Sequence, residues 1–193
     1  MCIRDRLDPW RFHPGGYEFW GQVSALKAGL VGADVLTTVS PRYAEELMTP
    51  EFGMGMDGMM RARRGSLTGI LNGIDAQAWD PAADPLIQPY AQPQGKRANK
   101  AALRDELDLP PAEGPLCIIV SRMTHQKGLD LVLDALPVLL ERGGQLALLG
   151  SGERWLEDAF RDLAWQQPNV AVRIGYDEAL SHRMMAGADA ILV

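Results

Sequence analysis

Residues 116–152 read LCIIVSRMTHQKGLDLVLDALPVLLERGGQLALLGSG, and this stretch decides the fold. It opens on an apolar, β-branched run over 116–121, of the kind that forms a strand buried on both faces. A polar loop occupies 122–128. Residues 129–142 then space Val132, Leu136, Leu139 and Leu140 as a helix does, with Pro137 predicting a local bend and Gly143-Gly144 a stop. A second apolar run, 145–149, is closed by Gly150-Ser151-Gly152.

The pattern continues toward the C-terminus. Residues 154–166 read as a helix with Trp155, Phe160 and Leu163 roughly on one side. Residues 170–174 read as a strand ended by Gly175, 178–186 as a short helix, and 188–193 as a further strand expected inside the sheet. Regular alternation of strand and helix predicts an α/β fold: a parallel sheet with right-handed crossovers and helices on both faces. Ligands of such sheets bind beyond the carboxyl ends of the strands. The loops after Ser121, Leu149 and Ile174 are therefore the places to look for a site.

The first half is less regular. Residues 23–30 look helical and 35–39 extended, and Ser40-Pro41 is a good helix start, Ser as N-cap and Pro in the first turn. Residues 52–60, rich in Gly and Met, read as a loop or short mobile element, and 67–71 as a strand ending at Asn72-Gly73. Several Pro and Gln residues make 82–100 look like a long connection, and a domain boundary is expected near 73–80. The opening MCIRDR is polar and short and supports no element.

Composition narrows the partners. Of 193 residues, 47% are hydrophobic and 23% charged, which is enough to bury a core. A net charge of −6 argues against a nucleic-acid partner, which needs a basic face. No stretch is long and apolar enough to span a bilayer. Cys2 and Cys117 form no pair of motif spacing, and Cys117 lies in an apolar run, so it reads as a buried reduced thiol. His13, His125 and His182 lack ligand spacing, so no metal is expected. These features together point to the cytoplasm.

The sharpest chemical feature is the loop SRMTHQKG, 121–128. It carries Arg122 and Lys127 on one strand-to-helix turn, with a helix N-terminus and Gly128 behind them. A diphosphate suits this combination: a planar guanidinium for two oxygens, an ammonium as a point charge, and backbone donors. The competing reading is a solvated surface loop, and the position at a strand's carboxyl end brings the two to about even. Gly150 and Gly152 could admit a ribose or phosphate, but a tight strand-to-helix turn explains them more simply. A dinucleotide fingerprint would need Gly at the sixth position, where Trp155 stands. Asn72 reads as a turn residue unless its turn faces a cleft. Lys27 reads as a solvated lysine and 54–60 as flexible Met packing.

These segments, in this order, resemble bacterial glycogen synthases and plant starch synthases, which are retaining glycosyltransferases of the two-domain GT-B fold. The residues that carry the resemblance are LKAGLVGADVLTTVSP (26–41), FGMGMDGMM (52–60), LNGID (71–75), SRMTHQKGLDLVL (121–133), QLALLGSG (145–152) and IGYDEALSHRMMAG (174–187). The resemblance implies that 11–75 is the end of an N-terminal catalytic domain, 76–110 an inter-domain connection, and 111–193 the first part of a Rossmann-like C-terminal domain. Residues 1–10 stand outside it. The implied activity is glucosyl transfer from ADP-glucose to the non-reducing end of an α-1,4-glucan, without a cofactor. Arg122 and Lys127 would hold the diphosphate and stabilise the leaving group, with Gly128 beside them. Asn72 would lie near the donor, and Gly150 and Gly152 near the nucleotide. Family members are more than twice this length. Their Lys-x-Gly-Gly-Leu donor loop and glutamate motif have no counterpart here, since Glu153 and Asp177 match neither position. The chain is therefore expected to be an internal segment that does not transfer glucose alone. The alternatives are another GT-B nucleotide-sugar transferase or a non-catalytic nucleotide-sugar or glucan-binding module.

Overall fold

The computed structural model describes residues 8–193. Residues 1–7, Cys2 included, lie outside the described residues. The chain divides into two compact units, with the boundary between Ile74 and Asp75.

The first unit begins with a hairpin, β1 (Glu18–Phe19) antiparallel to β2 (Gln22–Val23). Its turn residues, Trp20 and Gly21, have φ values of 52° and 76°, the pair of left-handed conformations that two-residue hairpin turns require. Trp is a poor signal for such a turn, which is why the sequence does not announce the hairpin. Helix α1 (Ala25–Gly32) follows, with the Ser24 hydroxyl accepting from Lys27 N–H. Strand β3 (Leu36–Thr38) leads to α2 (Pro41–Glu46), capped by Ser40, which accepts from Tyr43 N–H. The expected loop over 52–60 is partly ordered: α3 (Asp57–Ala62) starts inside it, and its Met60 is buried. Strand β4 (Leu67–Gly69) pairs in parallel with β3.

Lys27 corrects the sequence reading. It is not solvated but buried, and its Nζ donates to the carbonyls of Pro14 and Glu18 at 2.6 and 2.7 Å. It thus ties α1 to the chain entering the hairpin. Periodicity reports which face a residue occupies, but not that two backbone carbonyls wait there for a cation.

The second unit places α4 (Lys96–Glu106) ahead of a four-stranded sheet. In chain order come β5 (Leu116–Val120), α5 (Leu129–Glu141), β6 (Gln145–Gly150), α6 (Arg154–Gln166), β7 (Val170–Ile174), α7 (Glu178–Gly187) and β8 (Ala190–Ile191). The strands pair in parallel in the order β7-β6-β5-β8. Helix α4 departs from the expected reading of 82–100 as connection throughout. Its Leu103 is buried against Leu180 and Met184 of α7, so a segment with a Pro- and Gln-rich start ends as part of the core. Strand β8 is shorter than the expected 188–193 and, among the described residues, pairs with β5.

Strand alternation splits the core into two layers. Leu116 and Ile118 of β5, with Ala147 and Leu149 of β6, face Leu103, Leu180 and Met184 of α4 and α7. The intervening Cys117, Ile119, Leu146 and Leu148 face Leu129, Leu136, Leu156 and Phe160 of α5 and α6. A strand apolar at every position must be covered on both sides, and four helices do so here. The carboxyl ends of β5, β6 and β7 are left free to carry loops.

Candidate functional site

The loops after β5 and β6 are built as one body. Met123 N–H donates to Ser151 O at 2.8 Å, and Glu153 N–H donates back to Met123 O at 2.7 Å. Met123 is fully buried, so this short parallel bridge with Gly152 is anchored from below. A Cβ at position 150 would collide with the carbonyl oxygen of Ser121, and one at 152 with that of Met123. The two glycines are therefore required by the protein's own backbone, in line with the tight-turn reading. Glu153 adds a side-chain brace: its carboxylate accepts from His125 N–H at 2.9 Å and from the Trp155 indole at 2.7 Å. Glu157 closes the other side by accepting from Gly152 N–H at 2.9 Å.

On this body, Arg122 and Lys127 are both exposed. Neither is held by an ion pair to another described residue. The loop is not irregular throughout: His125–Lys127 forms a 3-10 turn, and Gly128 follows at φ 65° as the residue that starts α5. Only glycine enters that left-handed conformation without strain. Two donors expected for a ligand are spent on this turn, because Lys127 N–H donates to Thr124 O and Gly128 N–H to His125 O. Asp130 sits in the first turn of α5, with Oδ2 3.5 Å from His125 Nδ1. Its negative charge occupies the positive end of the helix dipole and weakens the dipole's pull on an anion. The attraction of this loop for phosphate thus rests on its side-chain cations more than on the helix.

A cleft opens at the carboxyl ends of β5, β6 and β7. Val120, Arg122, Gly150 and Ser151 form one wall, and Tyr176, Asp177 and Ser181 the other. Asp177 caps α7 by accepting from Leu180 N–H at 2.8 Å, which fixes the second wall. Tyr176 is 87% exposed and lines the cleft along with Gly150 and Gly175. The structure thus brings together Arg122 and Gly150 in one cleft, with Gly152 in the adjoining bridge. Lys127 is not part of the lining. Asn72 is exposed and belongs to the first unit.

Sequence reasoning missed Ser151, Tyr176 and Ser181 as wall residues, although the loop after Ile174 was the right place to look. It also missed His182, which is buried with Asp84 and stacks on the half-buried Trp79. No spacing signals that cluster, because Asp84 and His182 are 98 residues apart. Among the described residues, no group of His, Cys, Asp and Glu could hold a metal ion, and no helix is long and apolar enough to cross a membrane.

A family model of the starch synthase catalytic domain matches residues 4–62. The glycogen synthase of Jannaschia sp. (strain CCS1) is 65% identical over 188 residues, which is 97% of this chain and 40% of that protein. The glycogen synthase of Paracoccus denitrificans (strain Pd 1222) is 63% identical over 94% of this chain and 38% of that protein. This chain belongs to the glycogen and starch synthase family. It spans about 40% of the length of the curated relatives it matches. Among solved structures, the catalytic domain of starch synthase IV from Arabidopsis thaliana, bound to ADP and acarbose, superposes with a TM-score of 0.87 at 35% identity. That match covers 96% of this chain and 40% of the plant chain. The α/β architecture is accordingly that of the family's GT-B glycosyltransferase fold, and the chain is a segment of it.

Proposed function

We propose that the protein of which this chain is a segment transfers glucose from ADP-glucose to the non-reducing end of an α-1,4-glucan with retention of configuration, and that the cleft beyond β5–β7 receives the donor's ADP half. The observation that carries this reading is Arg122 at the cleft wall, exposed and without an ion-pair partner among the described residues, in a family one of whose solved members holds ADP. Glucosyl transfer leaves charge on the diphosphate as the glycosidic bond breaks. A guanidinium pairs with two phosphate oxygens at once, and a second cation on the same loop adds a point charge. Both favour the charged leaving group over the bound donor.

In this reading each residue has a distinct part. Arg122 grips the diphosphate from the wall. Lys127, at the end of its 3-10 turn, reaches over from the loop on a four-carbon stem. Gly128 sets the backbone that aims Lys127, since its own N–H is already used within the loop. Gly150 and Gly152 keep the turn low enough for the nucleotide to lie against Ser151. Tyr176 offers its ring face to the base. Asn72 is the further donor contact that the resemblance implies. The reaction uses no cofactor, the acceptor is glycogen or a related glucan, and the cytoplasm is the compartment.

The test is an assay of a family-length protein carrying this segment, with radiolabelled ADP-glucose or UDP-glucose and glycogen. Label enters glycogen faster from ADP-glucose. Equal or better use of UDP-glucose would move the reading to another nucleotide-sugar transferase. ADP binding without incorporation from either donor would leave a binding module.

A further inference from the structure

The second unit begins with a segment, 75–95, that contains little regular structure. Asp75, Asp80 and Asp84 each fold it locally by accepting from backbone N–H groups two or three residues on. Two side-chain groups fasten it: Asn99 of α4 pairs with the backbone N–H and carbonyl of Gln88 at 2.9 and 2.8 Å, and a cluster of three side chains holds it to α7. The His182 imidazole lies flat on the Trp79 ring, with centroids 3.7 Å apart and planes 14° apart. Its Nδ1 donates to Asp84 Oδ2 at 2.6 Å, and both residues are 5% exposed. A buried carboxylate and imidazole are costly to desolvate unless paired, so this geometry is specific rather than adaptable.

The cluster's place in the chain gives it a further consequence. His182 follows Ser181, which lines the cleft, and lies on the helix whose N-cap, Asp177, forms the same wall. Trp79 lies five residues after Ile74, where the first unit ends. One imidazole therefore joins the chain entering the second unit to the helix that walls the cleft. Leu180 and Met184 pack α7 into the core, and its other polar fastenings, Arg183 to Glu106 at 2.6 Å and Lys96 to the Met185 carbonyl at 3.2 Å, hold it to α4.

We infer that His182 is a positioning residue for the cleft: its clamp on Trp79 and Asp84 sets α7, and through α7 the wall of Tyr176, Asp177 and Ser181, at the height a nucleotide meets. The inference rests on the cleft being the nucleotide site. Loss of the clamp lets that wall shift and weakens its contacts with a bound nucleotide.

The test compares His182→Ala, His182→Asn and Trp79→Phe in a family-length protein carrying this segment, reading ADP affinity by calorimetry, KM and kcat for ADP-glucose, and Tm. Asn keeps a donor where Nδ1 stands but loses the stack, and Phe keeps the stack. His182→Ala raises the ADP Kd and the donor KM about 10-fold, the equivalent of about one lost hydrogen bond, with kcat changed far less, and both milder variants recover part of the affinity. A lowered Tm with unchanged Kd and KM would overturn the inference and leave His182 a residue of stability only. If His182→Ala does not fold, wild-type Kd and KM in both milder variants would overturn it equally. Failure of the unaltered protein to bind ADP would instead remove the proposed function, a result these variants do not mimic.

Discussion

The backbone N–H of His125 donates to Glu153 Oε1 at 2.9 Å, so the loop after β5 is held by the residue that begins the helix after β6. The other carboxylate oxygen takes the Trp155 indole N–H at 2.7 Å. These two hydrogen bonds, the His125 amide first, together with attraction to the His125 ring, outweigh the upward push of burial and hold the Glu153 carboxyl below the usual carboxylate range. A depressed carboxyl stabilises the folded loop above its unfolded value, near pH 4.3, and that contribution is lost as pH falls through the folded value. Glu153→Ala should raise the ADP Kd several-fold, with Glu153→Gln intermediate because its amide oxygen still accepts. Trp155 fluorescence should shift on acidification below about pH 4 in the wild type and not in Glu153→Ala. Equal ADP affinity in both variants would show that the brace does not matter to the site.

Arg122→Ala and Lys127→Ala should each reduce kcat in a family-length protein by roughly 10²–10³, the loss expected on removing one preorganised charge stabiliser. Arg122 lies in the cleft wall and Lys127 outside it, so the lysine result is the more informative. Wild-type turnover in Lys127→Ala would remove that residue from the reaction and leave Arg122 as the phosphate contact.

Gly150→Ala and Gly152→Ala should destabilise the second unit by about 1–3 kcal/mol each, the usual range for forcing atoms into a packed site. The obstacle in each case is backbone, the carbonyls of Ser121 and Met123, which cannot swing aside as a flexible side chain would. Denaturant melts read the effect. A variant at either position with an unchanged midpoint would show that the two loops separate freely.

Lys27→Ala should destabilise the first unit by about 1–3 kcal/mol, because it strands two acceptors in a partly buried site. Lys27→Arg is not expected to restore it, since a planar fork does not match a pocket shaped for an ammonium between the Pro14 and Glu18 carbonyls. Amide exchange should quicken first over Glu18–Phe19 and Gln22–Val23. Uniform exchange in Lys27→Ala and wild type would return Lys27 to the solvated role.

Burial pushes the Asp84 carboxyl up, but hydrogen bonds from His182 and Leu86 N–H, with the attraction of the imidazole, hold it below the ordinary range. Its contribution to stability is therefore complete above its unfolded value, near pH 3.9, and lost as pH falls through the folded one. Asp84→Asn should lower Tm at pH 7 and flatten the acid limb of the stability curve. An unchanged acid limb would assign the acid sensitivity to other carboxylates.

Period and punctuation carried the second unit in the sequence. Runs apolar at every position over 116–120 and 145–150 demand cover on both faces, and the helical spacings between them supply it, so a parallel sheet followed from local pattern alone. The place of the loop 121–128 was legible for the same reason, since a strand-to-helix loop is a fixed position in such a sheet, and the structure puts Arg122 of that loop in the cleft lining; the phosphate roles proposed for Arg122 and Lys127 came from the resemblance. What the tertiary structure alone decided were contacts between residues distant in sequence. Lys27 found the carbonyls of Pro14 and Glu18, α4 joined the core through Leu103, and His182 met Asp84 across 98 residues. The roles of Gly150 and Gly152 were decided the same way, by the backbone of another loop pressed against them. Hydrophobic periodicity records how a residue lies relative to its own element, whereas the partner of a buried charge, or of a glycine in close approach, is set only when separate elements pack.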